Sequence, residues 1–202
     1  MVLQLIIYGS REFEDVSEAV RFSDPQHQRR VEIELHPRLP RAGMSPGEIK
    51  EWGDTFVGTH YLTFKHSQKW HCEFCEKPAR MSQWSVPSWT HLTPPRLIFY
   101  MHFVCDPFRG KCAQIVRKTV LDTARLLGCP PPPRHTTIED PMEWPMMGSC
   151  ATCNKDETVK QATKVCTGCN ITRYCSEACQ KKHWKEHRIV CKMPKTVTWV
   201  WD

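Results

Sequence analysis

The sequence has no apolar run that approaches the roughly 20 residues a helix needs to span a bilayer. It also has no internal repeat and no long low-complexity tract. Its apolar start, residues 1–8, is short, has no basic segment before it and meets charged residues at once. This segment predicts a β-strand and not a signal peptide, so we expect an intracellular protein, nuclear or cytoplasmic, with no membrane partner.

Motifs of several enzyme classes are missing as well. The chain contains no HExxH, no P-loop, no GxGxxG and no GxSxG. Without any of these motifs, nothing in the sequence points to a hydrolytic or nucleotide-dependent active site. We therefore expect that the protein is not an enzyme.

Cysteine and proline, in contrast, are plentiful, with 12 Cys and 16 Pro among 202 residues. That length corresponds to one or two domains. Because disulfides are rare inside cells, clustered cysteines in this chain indicate a metal framework that supplements a modest core. Thiolate ligands would also offset part of the formal net charge of +6, so the charge is weak support for nucleic-acid binding.

The sequence pattern predicts an α+β protein with a boundary at Pro130–Pro133. Four consecutive prolines favour a stiff, extended spacer that belongs to neither a helix nor a central strand. The predicted parts are a small mixed N-terminal α/β domain, a proline-rich linker, a cysteine-rich module and a C-terminal tail: 1–128, 129–147, 148–193 and 194–202.

Local signals predict several regular elements on both sides of this boundary. Ser45-Pro46-Gly47-Glu48 is a capping box, and the helix that it starts is expected to end near Trp52. Apolar residues at helical spacing predict a second helix from Gly110 to Leu127. Strands are predicted at residues 1–8, 96–105 and, from the alternating tail, 196–201.

The cysteine-rich module contains four pairs of candidate metal ligands, two of them CxxC knuckles and two of them i, i+4 pairs on a helix. The pairs are Cys150/Cys153, Cys166/Cys169, Cys175/Cys179 and His187/Cys191. On a helix Cys179 and His187 lie about 12 Å apart, whereas the ligands of one zinc ion lie about 4 Å apart. The two helical pairs therefore bind different ions, and each recruits one knuckle. An interleaved and a nested arrangement both remain possible.

The same helical spacing distinguishes two histidines. His183 lies about 12 Å from Cys191 and cannot complete its site, whereas His187 lies one turn away and can. We therefore expect His183 to lie beside the site without being a ligand. Ser176, which precedes a run rich in Ala, Gln, Lys and His, is a candidate N-cap of this helix.

The segment from Cys150 to Cys191 resembles the MYND-type zinc finger. It reads Cys-x2-Cys, Cys-x2-Cys, then Tyr-Cys-Ser-x2-Cys-Gln-x3-Trp-x2-His-x3-Cys. The resemblance implies two zinc ions in the interleaved order, with little regular structure beyond one ligand-bearing helix. The implied ligands are Cys150, Cys153, Cys175 and Cys179 for zinc 1, and Cys166, Cys169, His187 and Cys191 for zinc 2. A looser likeness, around KWHCEFCEKPAR, is to a region upstream of MYND fingers in fungal proteins.

The resemblance also implies a function. MYND fingers are mainly protein-interaction modules, and several act in transcriptional repression by binding proline-containing peptides. Gln180 and Trp184 match the positions that contact such peptides, and Ser176 lies on the same helical stripe. We therefore predict a zinc-binding adaptor whose partner is a proline-motif-containing protein.

Two other functions are considered. One is a fragment or relative of a MYND-containing lysine methyltransferase, although no SET motif is recognisable. The other is a DNA-binding regulator that meets phosphates through the cations of the ligand helix, for which a solvated helix face is the simpler explanation. Those cations are Lys181, Lys182, Lys185, Arg188 and Lys192.

Further cysteines lie in the N-terminal part and predict a third zinc site. Its ligands would be Cys72, Cys75, Cys105 and Cys112. His71 and His102 are competing ligands. Free thiols and a CxxC redox pair are the alternatives. Cys129, just before the prolines, has no evident partner and is predicted to be a free thiol.

Overall fold

The structure, a computed structural model, describes residues 1–11, 30–75, 77–106, 108–126, 128 and 144–200 of the chain. Cys129 and the spacer Pro130–Pro133 lie outside the described residues. Most of the predicted linker lies there as well, so the division into separate parts stays a prediction. In the portion that the structure describes, no helix combines the length and apolar character needed to cross a membrane.

Six of the described strands form one sheet. Its order is β10-β3-β1-β7-β5, with β6 also paired to β7. β1 and β7 run parallel, and the other neighbours are antiparallel. Two short ladders, β2 with β4 and β8 with β9, lie apart from this sheet. The strands are β1 (Val2–Tyr8), β2 (Ser10–Arg11), β3 (Arg30–Leu35), β4 (Trp70–His71), β5 (Met81–Ser85), β6 (Ser88–Trp89), β7 (Arg96–Val104), β8 (Lys164–Val165), β9 (Arg173–Tyr174) and β10 (Pro194–Val200).

Helices alternate with the strands along the chain, and two of them pack against the main sheet. Among the described residues the helices are α1 (Pro46–Thr59), α2 (Tyr61–Lys65), α3 (Gly110–Leu126) and α4 (Glu177–Cys191). Leu5 of β1 pairs with Ile33 of β3 on one side and Phe99 of β7 on the other, and all three are fully buried. Phe56 of α1 and Phe64 of α2 join the same hydrophobic cluster. This is the larger of the two hydrophobic clusters. Each large apolar side chain buried in it contributes about 1.5–3 kcal/mol.

Several elements occur where the sequence predicted them. The capping box is present, since the Ser45 hydroxyl accepts from the Glu48 backbone N–H and the Glu48 carboxylate accepts from the Ser45 N–H. The strands predicted at 1–8 and 96–105 correspond to β1 and β7. The helix predicted from residue 110 is α3, whose described end is Leu126. The mixed helix and strand fold is therefore confirmed.

The predicted end of α1 near Trp52 is wrong. Gly53 lowers helix propensity and suggests a stop at this point. In the structure Gly53 is buried against Leu97 of β7, and a Cβ there would collide with that side chain. The helix continues to Thr59 because its next turn buries Phe56 in the core. Tertiary packing overrides local propensity here.

The C-terminal tail returns to the sheet. Its strand β10 pairs antiparallel with β3, so that Val197 faces Ile33 and Trp199 faces Val31. The Trp199 ring stacks on Trp70, with ring centroids 6.2 Å apart. The strand predicted in the tail is therefore confirmed, and the cysteine-rich module lies in the chain between two segments that pack on one sheet.

The cysteine-rich module packs against the N-terminal part. Buried residues of the module, among them Tyr174 and Val190, belong to the same hydrophobic cluster as the sheet. Gly148 has a φ of +79°, and a Cβ on it would lie 2.6 Å from the Gln68 carbonyl oxygen, so only glycine suits this close approach. The Arg173 guanidinium donates from Nε to the Ser67 carbonyl at 2.8 Å. The module is seated on the sheet domain by apolar and polar contacts together.

Candidate metal centres and the helix that joins them

Helix α4 carries a cysteine or histidine at every fourth residue, namely Cys179, His183, His187 and Cys191. The helix begins after Ser176, whose hydroxyl accepts a hydrogen bond from the Cys179 backbone N–H at 3.2 Å. The predicted N-cap is therefore confirmed. Capping fixes the first turn of the helix and with it the direction of the Cys179 side chain.

The first cysteine group lies at the start of α4. Its ligand atoms all lie within 4.8 Å of one another. The Cys175 and Cys179 sulfurs are 3.4 Å apart, and Cys153 lies 3.8 Å and 3.7 Å from them. Ligands of one zinc ion are separated by about 4 Å, so the four sulfurs match a single tetrahedral ion. The members are Cys150, Cys153, Cys175 and Cys179.

The mixed group lies at the end of α4 and is fully buried. Its ligand atoms also lie within 4.8 Å of one another. The Cys166 and Cys191 sulfurs are 3.6 Å apart, and the Cys169 sulfur is 3.6 Å from His187 Nε2. Three thiols and one imidazole are a frequent ligand set of structural zinc. The members are Cys166, Cys169, His187 and Cys191.

Both knuckles use the same turn. Asn154 and Asn170 follow the two CxxC sequences and have positive φ, 49° and 56°. Each asparagine donates its backbone N–H to the carbonyl of the first cysteine of its knuckle, Cys150 or Cys166, at 2.8 Å. Asparagine adopts this conformation more readily than most residues. The turn brings both thiols of a knuckle to the same side, where one ion can meet them.

The structure thus brings the first ligand pair to the third and the second to the fourth, which is the interleaved arrangement. His183 belongs to neither group. Its Nδ1 lies 3.0 Å from the Tyr174 hydroxyl, and its ring stacks on His187 with centroids 5.6 Å apart. His183 therefore supports the His187 ring from the side.

A third group lies in the N-terminal part, where β4, the end of β7 and the start of α3 meet. Its sulfurs lie within 4.8 Å of one another, and those of Cys75 and Cys105 are 3.6 Å apart. His71 and His102 are not members. His102 Nδ1 instead lies 2.7 Å from a Glu73 carboxylate oxygen. The members are Cys72, Cys75, Cys105 and Cys112.

Comparison with known proteins agrees with the geometry of the first two groups. Residues 150–191 match the sequence model of the family described as "MYND finger". Residues 150–191 form a MYND finger. This is a zinc-binding interaction module that normally holds two zinc ions, and the three Cys/His groups are all at metal-binding distance, consistent with zinc.

The chain is similar to three curated proteins over part of its length. It is 42% identical over 43 residues to "Protein CBFA2T2" of Xenopus laevis, covering 21% of this chain and 6% of that protein. It is 36% identical over 73 residues to "Deformed epidermal autoregulatory factor 1" of Drosophila melanogaster, covering 32% and 12%. It is 41% identical over 44 residues to "SET domain and MYND-type zinc finger protein 6" of Schizosaccharomyces pombe, covering 22% and 8%.

These similarities are local. The chain spans no more than 12% of the length of these three relatives. No solved structure matches the chain. The comparisons therefore describe the MYND finger and leave the sheet domain without a counterpart among solved structures.

The imidazole of the MYND finger is kept neutral by burial and is oriented by groups from inside and outside the finger. Burial, followed by the nearby His183 and His60, lowers the pKa of His187 to about 4, so the ring is in the neutral form that binds metal. The hydroxyls of Thr172 and Thr63 each lie 3.5 Å from His187 Nδ1. When the proton is on Nδ1, it can be donated to these hydroxyl oxygens, and Nε2 is left unprotonated toward the thiols.

Sequence reasoning missed Thr63, because it lies on α2 and is 124 residues from His187. No spacing rule connects positions this far apart in the chain. The motif does not single out Thr172 either. Its hydroxyl donates to the Thr63 carbonyl at 3.3 Å. The packing of α2 against the finger brings Thr63 to the imidazole, whereas Thr172 belongs to the finger itself.

The thiols of Cys150, Cys153 and Cys191 differ in pKa, although burial acts to raise the pKa of each. Burial and hydrogen bonds with neighbouring thiols raise the pKa of Cys153 and that of Cys191 to about 12. Burial opposes ionisation of Cys150 too, but backbone N–H groups lower its pKa to about 7. Thiols this close resist ionising together, and a divalent cation removes that resistance because it binds the thiolates.

The predicted peptide surface lies on α4, beside the metal-binding stripe. Trp184 is 40% exposed, and its ring centroid is 6.2 Å from that of His187. Gln180, one turn earlier, is half-buried. Ser176 is half-buried as well, and its hydroxyl oxygen is occupied by the N-cap hydrogen bond. The three side chains follow one another at i, i+4 and i+8, so they line one side of the helix.

Proposed function

We propose that this protein is a zinc-stabilised adaptor that binds a proline-containing segment of a partner protein through α4 of its MYND finger. The observation that carries the proposal is the 40% exposure of Trp184 on a helix whose adjacent face is fixed by two metal-binding groups. An indole held on a fixed helix with this much of its ring exposed offers a partner a flat apolar surface beside a polar rim.

Metal binding is the first part of the proposal, since it holds α4 in place. Each ion has four protein ligands and no open coordination position, which fits a structural role and leaves no site for a substrate or reactive water. We assign zinc 1 to Cys150, Cys153, Cys175 and Cys179, and zinc 2 to Cys166, Cys169, His187 and Cys191.

Peptide binding is the second part. The indole of Trp184 offers a flat apolar surface on which a proline ring can stack. The Gln180 amide, one turn away, can donate to and accept from the backbone of an extended peptide, which has no internal hydrogen bonds to satisfy those groups. Ser176, whose hydroxyl can still donate, continues this line toward the start of the helix.

The charge around this line favours a partner with acidic residues. Lys181, Lys185 and Arg188 are exposed on the same helix. They outnumber the exposed acidic residues of α4, Glu177 and Glu186. Exposed cations beside a peptide site raise the association rate of an acidic partner more than they raise its final affinity.

We place this adaptor inside the cell, in the nucleus or the cytoplasm, and connect it with transcriptional regulation. None of the eleven described cysteines forms a disulfide. Together with His187 they make up three groups suited to metal. One relative bears the name "Deformed epidermal autoregulatory factor 1". The similarity to the SET domain and MYND-type protein covers 22% of this chain, about the size of the finger, so it gives no separate support for methyltransferase activity.

The proposal is tested by binding measurements with peptides that carry proline motifs. Trp184→Ala is expected to weaken the best peptides by about 30-fold, and Gln180→Ala by about 5- to 10-fold. Ile189→Ala is the matched control, because Ile189 is 47% exposed on another side of α4 and should bind as the parent does. Zinc content and folding are measured for every variant.

Two outcomes would overturn the proposal. If both Trp184→Ala and Gln180→Ala retain zinc and bind every peptide as tightly as the parent, the peptide surface lies elsewhere. If the parent instead binds duplex DNA at sub-micromolar affinity with a steep salt dependence, the cations of α4 serve nucleic acid.

A further inference from the structure

We propose that Cys72, Cys75, Cys105 and Cys112 bind a zinc ion of their own and that this ion fastens helix α3 to the sheet. The sulfurs come from three separate elements. Cys72 and Cys75 lie on a knuckle after β4, Cys105 directly follows β7, and Cys112 lies in the first turn of α3. They nevertheless lie within 4.8 Å of one another, the same limit that the two groups of the MYND finger satisfy.

The knuckle is held against β7 by backbone hydrogen bonds. Cys72 donates its N–H to the Lys77 carbonyl at 2.8 Å, which closes the turn. Glu73 donates to the Phe103 carbonyl at 2.9 Å, next to the end of β7. Hydrogen bonds to the sheet therefore help to set the positions of Cys72 and Cys75 relative to Cys105.

The loop from β7 to α3 is also organised locally. The Asp106 side chain accepts hydrogen bonds from the backbone N–H groups of Phe108 and Arg109, at 2.8 and 3.0 Å. This turn directs the chain into α3 and leaves Cys112 facing the other three thiols. The fourth ligand thus comes from the helix, so an ion bound here links the helix to the sheet.

Within the described ranges, helix α3 has few buried contacts with other elements. Its buried contacts with other elements form a small second cluster whose buried members are Cys72, Val104, Cys112 and Val116. Two of these four side chains are proposed ligands. Most of the stability of a helix in a protein comes from tertiary packing, so α3 depends on these contacts. The cysteine group therefore supplies a large share of those contacts of α3 that the described residues provide.

The ligand set favours one zinc ion over the alternatives. A CxxC redox pair needs two thiols, whereas four converge here. The candidate histidine His102 points its Nδ1 at Glu73 instead. Four thiolates at this spacing suit zinc or a single iron. We prefer zinc because the chain also contains a finger of a zinc-binding family.

The test uses the full chain, native mass spectrometry and amide hydrogen exchange. The parent is expected to carry three zinc ions, one for each group. Cys105→Ser is expected to carry two and to exchange the amides of residues 110–126 about tenfold faster or more, with α4 unchanged. Val116→Ala is the matched control: it removes a buried contact of α3 but no ligand, so it should keep three ions. His102→Ala should also keep three.

Each contrary result overturns a stated part of the proposal. A parent with only two ions, or with a disulfide among these cysteines, removes the site. A Cys105→Ser variant that keeps three ions removes the ligand assignment. Loss of one ion without faster exchange in α3 removes the fastening role, and iron in place of zinc in the purified protein overturns the metal. Peptide binding through α4 should be equal in the parent and in Cys105→Ser, so this test is independent of the adaptor function.

Discussion

The Arg80 guanidinium donates to both carboxylate oxygens of Asp156, at 3.2 and 2.8 Å. Arg80 lies just before β5 of the sheet, and Asp156 lies between the two knuckles of the MYND finger. The same guanidinium donates to the Trp144 carbonyl at 2.6 Å. One side chain of the sheet domain therefore holds the cysteine-rich module at Asp156 and the segment before it at Trp144.

Removing this contact is expected to loosen the finger. Arg80→Ala should lower the free energy of unfolding by about 1–2 kcal/mol, because hydrogen bonds to a charged group are lost while Asp156 is partly exposed to water. Chemical denaturation at neutral pH measures the change. Lys50→Ala, which removes an exposed ion pair with Asp54 on α1, is the control and should have almost no effect. Equal stability of Arg80→Ala and the parent would contradict the assigned role.

The contact should also depend on pH. Burial raises the pKa of Asp156, but the hydrogen bonds from Arg80 and from the Met146 N–H outweigh it, and the folded-state pKa lies below the ordinary value. A lowered carboxyl pKa stabilises the fold above the unfolded-state value of about 4, and this contribution is lost as pH falls through the folded-state pKa. The stability difference between the parent and Asp156→Asn should therefore shrink below about pH 4. A difference that stays constant down to pH 2 in thermal melts would exclude this linkage.

The zinc content of two variants should distinguish the roles of His183 and His187. His187→Ala should lose one zinc ion, because Nε2 of His187 lies with the thiols of the mixed group. His183→Ala should keep both ions of the finger, because its ring contacts Tyr174 and His187 but belongs to no group. Native mass spectrometry gives the counts. Equal zinc content in the two variants would contradict the ligand assignment.

The Thr63 hydroxyl near His187 should tune zinc affinity from outside the finger. Thr63→Val removes one hydroxyl near Nδ1 and is expected to weaken zinc 2 by about tenfold, as for other groups that orient metal-binding histidines. Thr59→Val is the control, since the Thr59 hydroxyl donates to the Thr55 carbonyl within α1. Competition with a chromogenic chelator measures the affinity. If Thr63→Val and Thr59→Val release zinc at the same chelator concentration, the hydroxyl has no such role.

Chelation should unfold the finger. Its segment is short, and ordering each residue costs about 1 kcal/mol or more, which its small core cannot offset without metal. In excess EDTA the dispersed amide signals of residues 150–191 should disappear from NMR spectra. A finger that keeps its dispersed signals when mass spectrometry finds it free of zinc would contradict this expectation.

Sequence-based reasoning was accurate for features set by residues close together in the chain and failed for contacts between distant ones. The Ser176 cap and the separation of ligand pairs along α4 depend on helical geometry alone, and the structure agrees with both. The end of α1 at Thr59 depends on how Gly53 meets Leu97, which local propensity does not contain. The pairing of β10 with β3 and the contact of Thr63 with His187 join distant parts of the chain, so no spacing rule indicates them.

The continuous core of sheet and finger has a thermodynamic consequence. Tyr174 and Val190 of the finger share one hydrophobic cluster with Leu5 and Ile33 of the sheet, and α2 touches the imidazole of the mixed group. An ion that binds only the folded state stabilises whatever folds together with its site, by about 1.4 kcal/mol for each tenfold rise in free zinc above the dissociation constant. Strands β1 and β3 contain no ligand, yet their resistance to unfolding should rise and fall with the free zinc concentration around the protein.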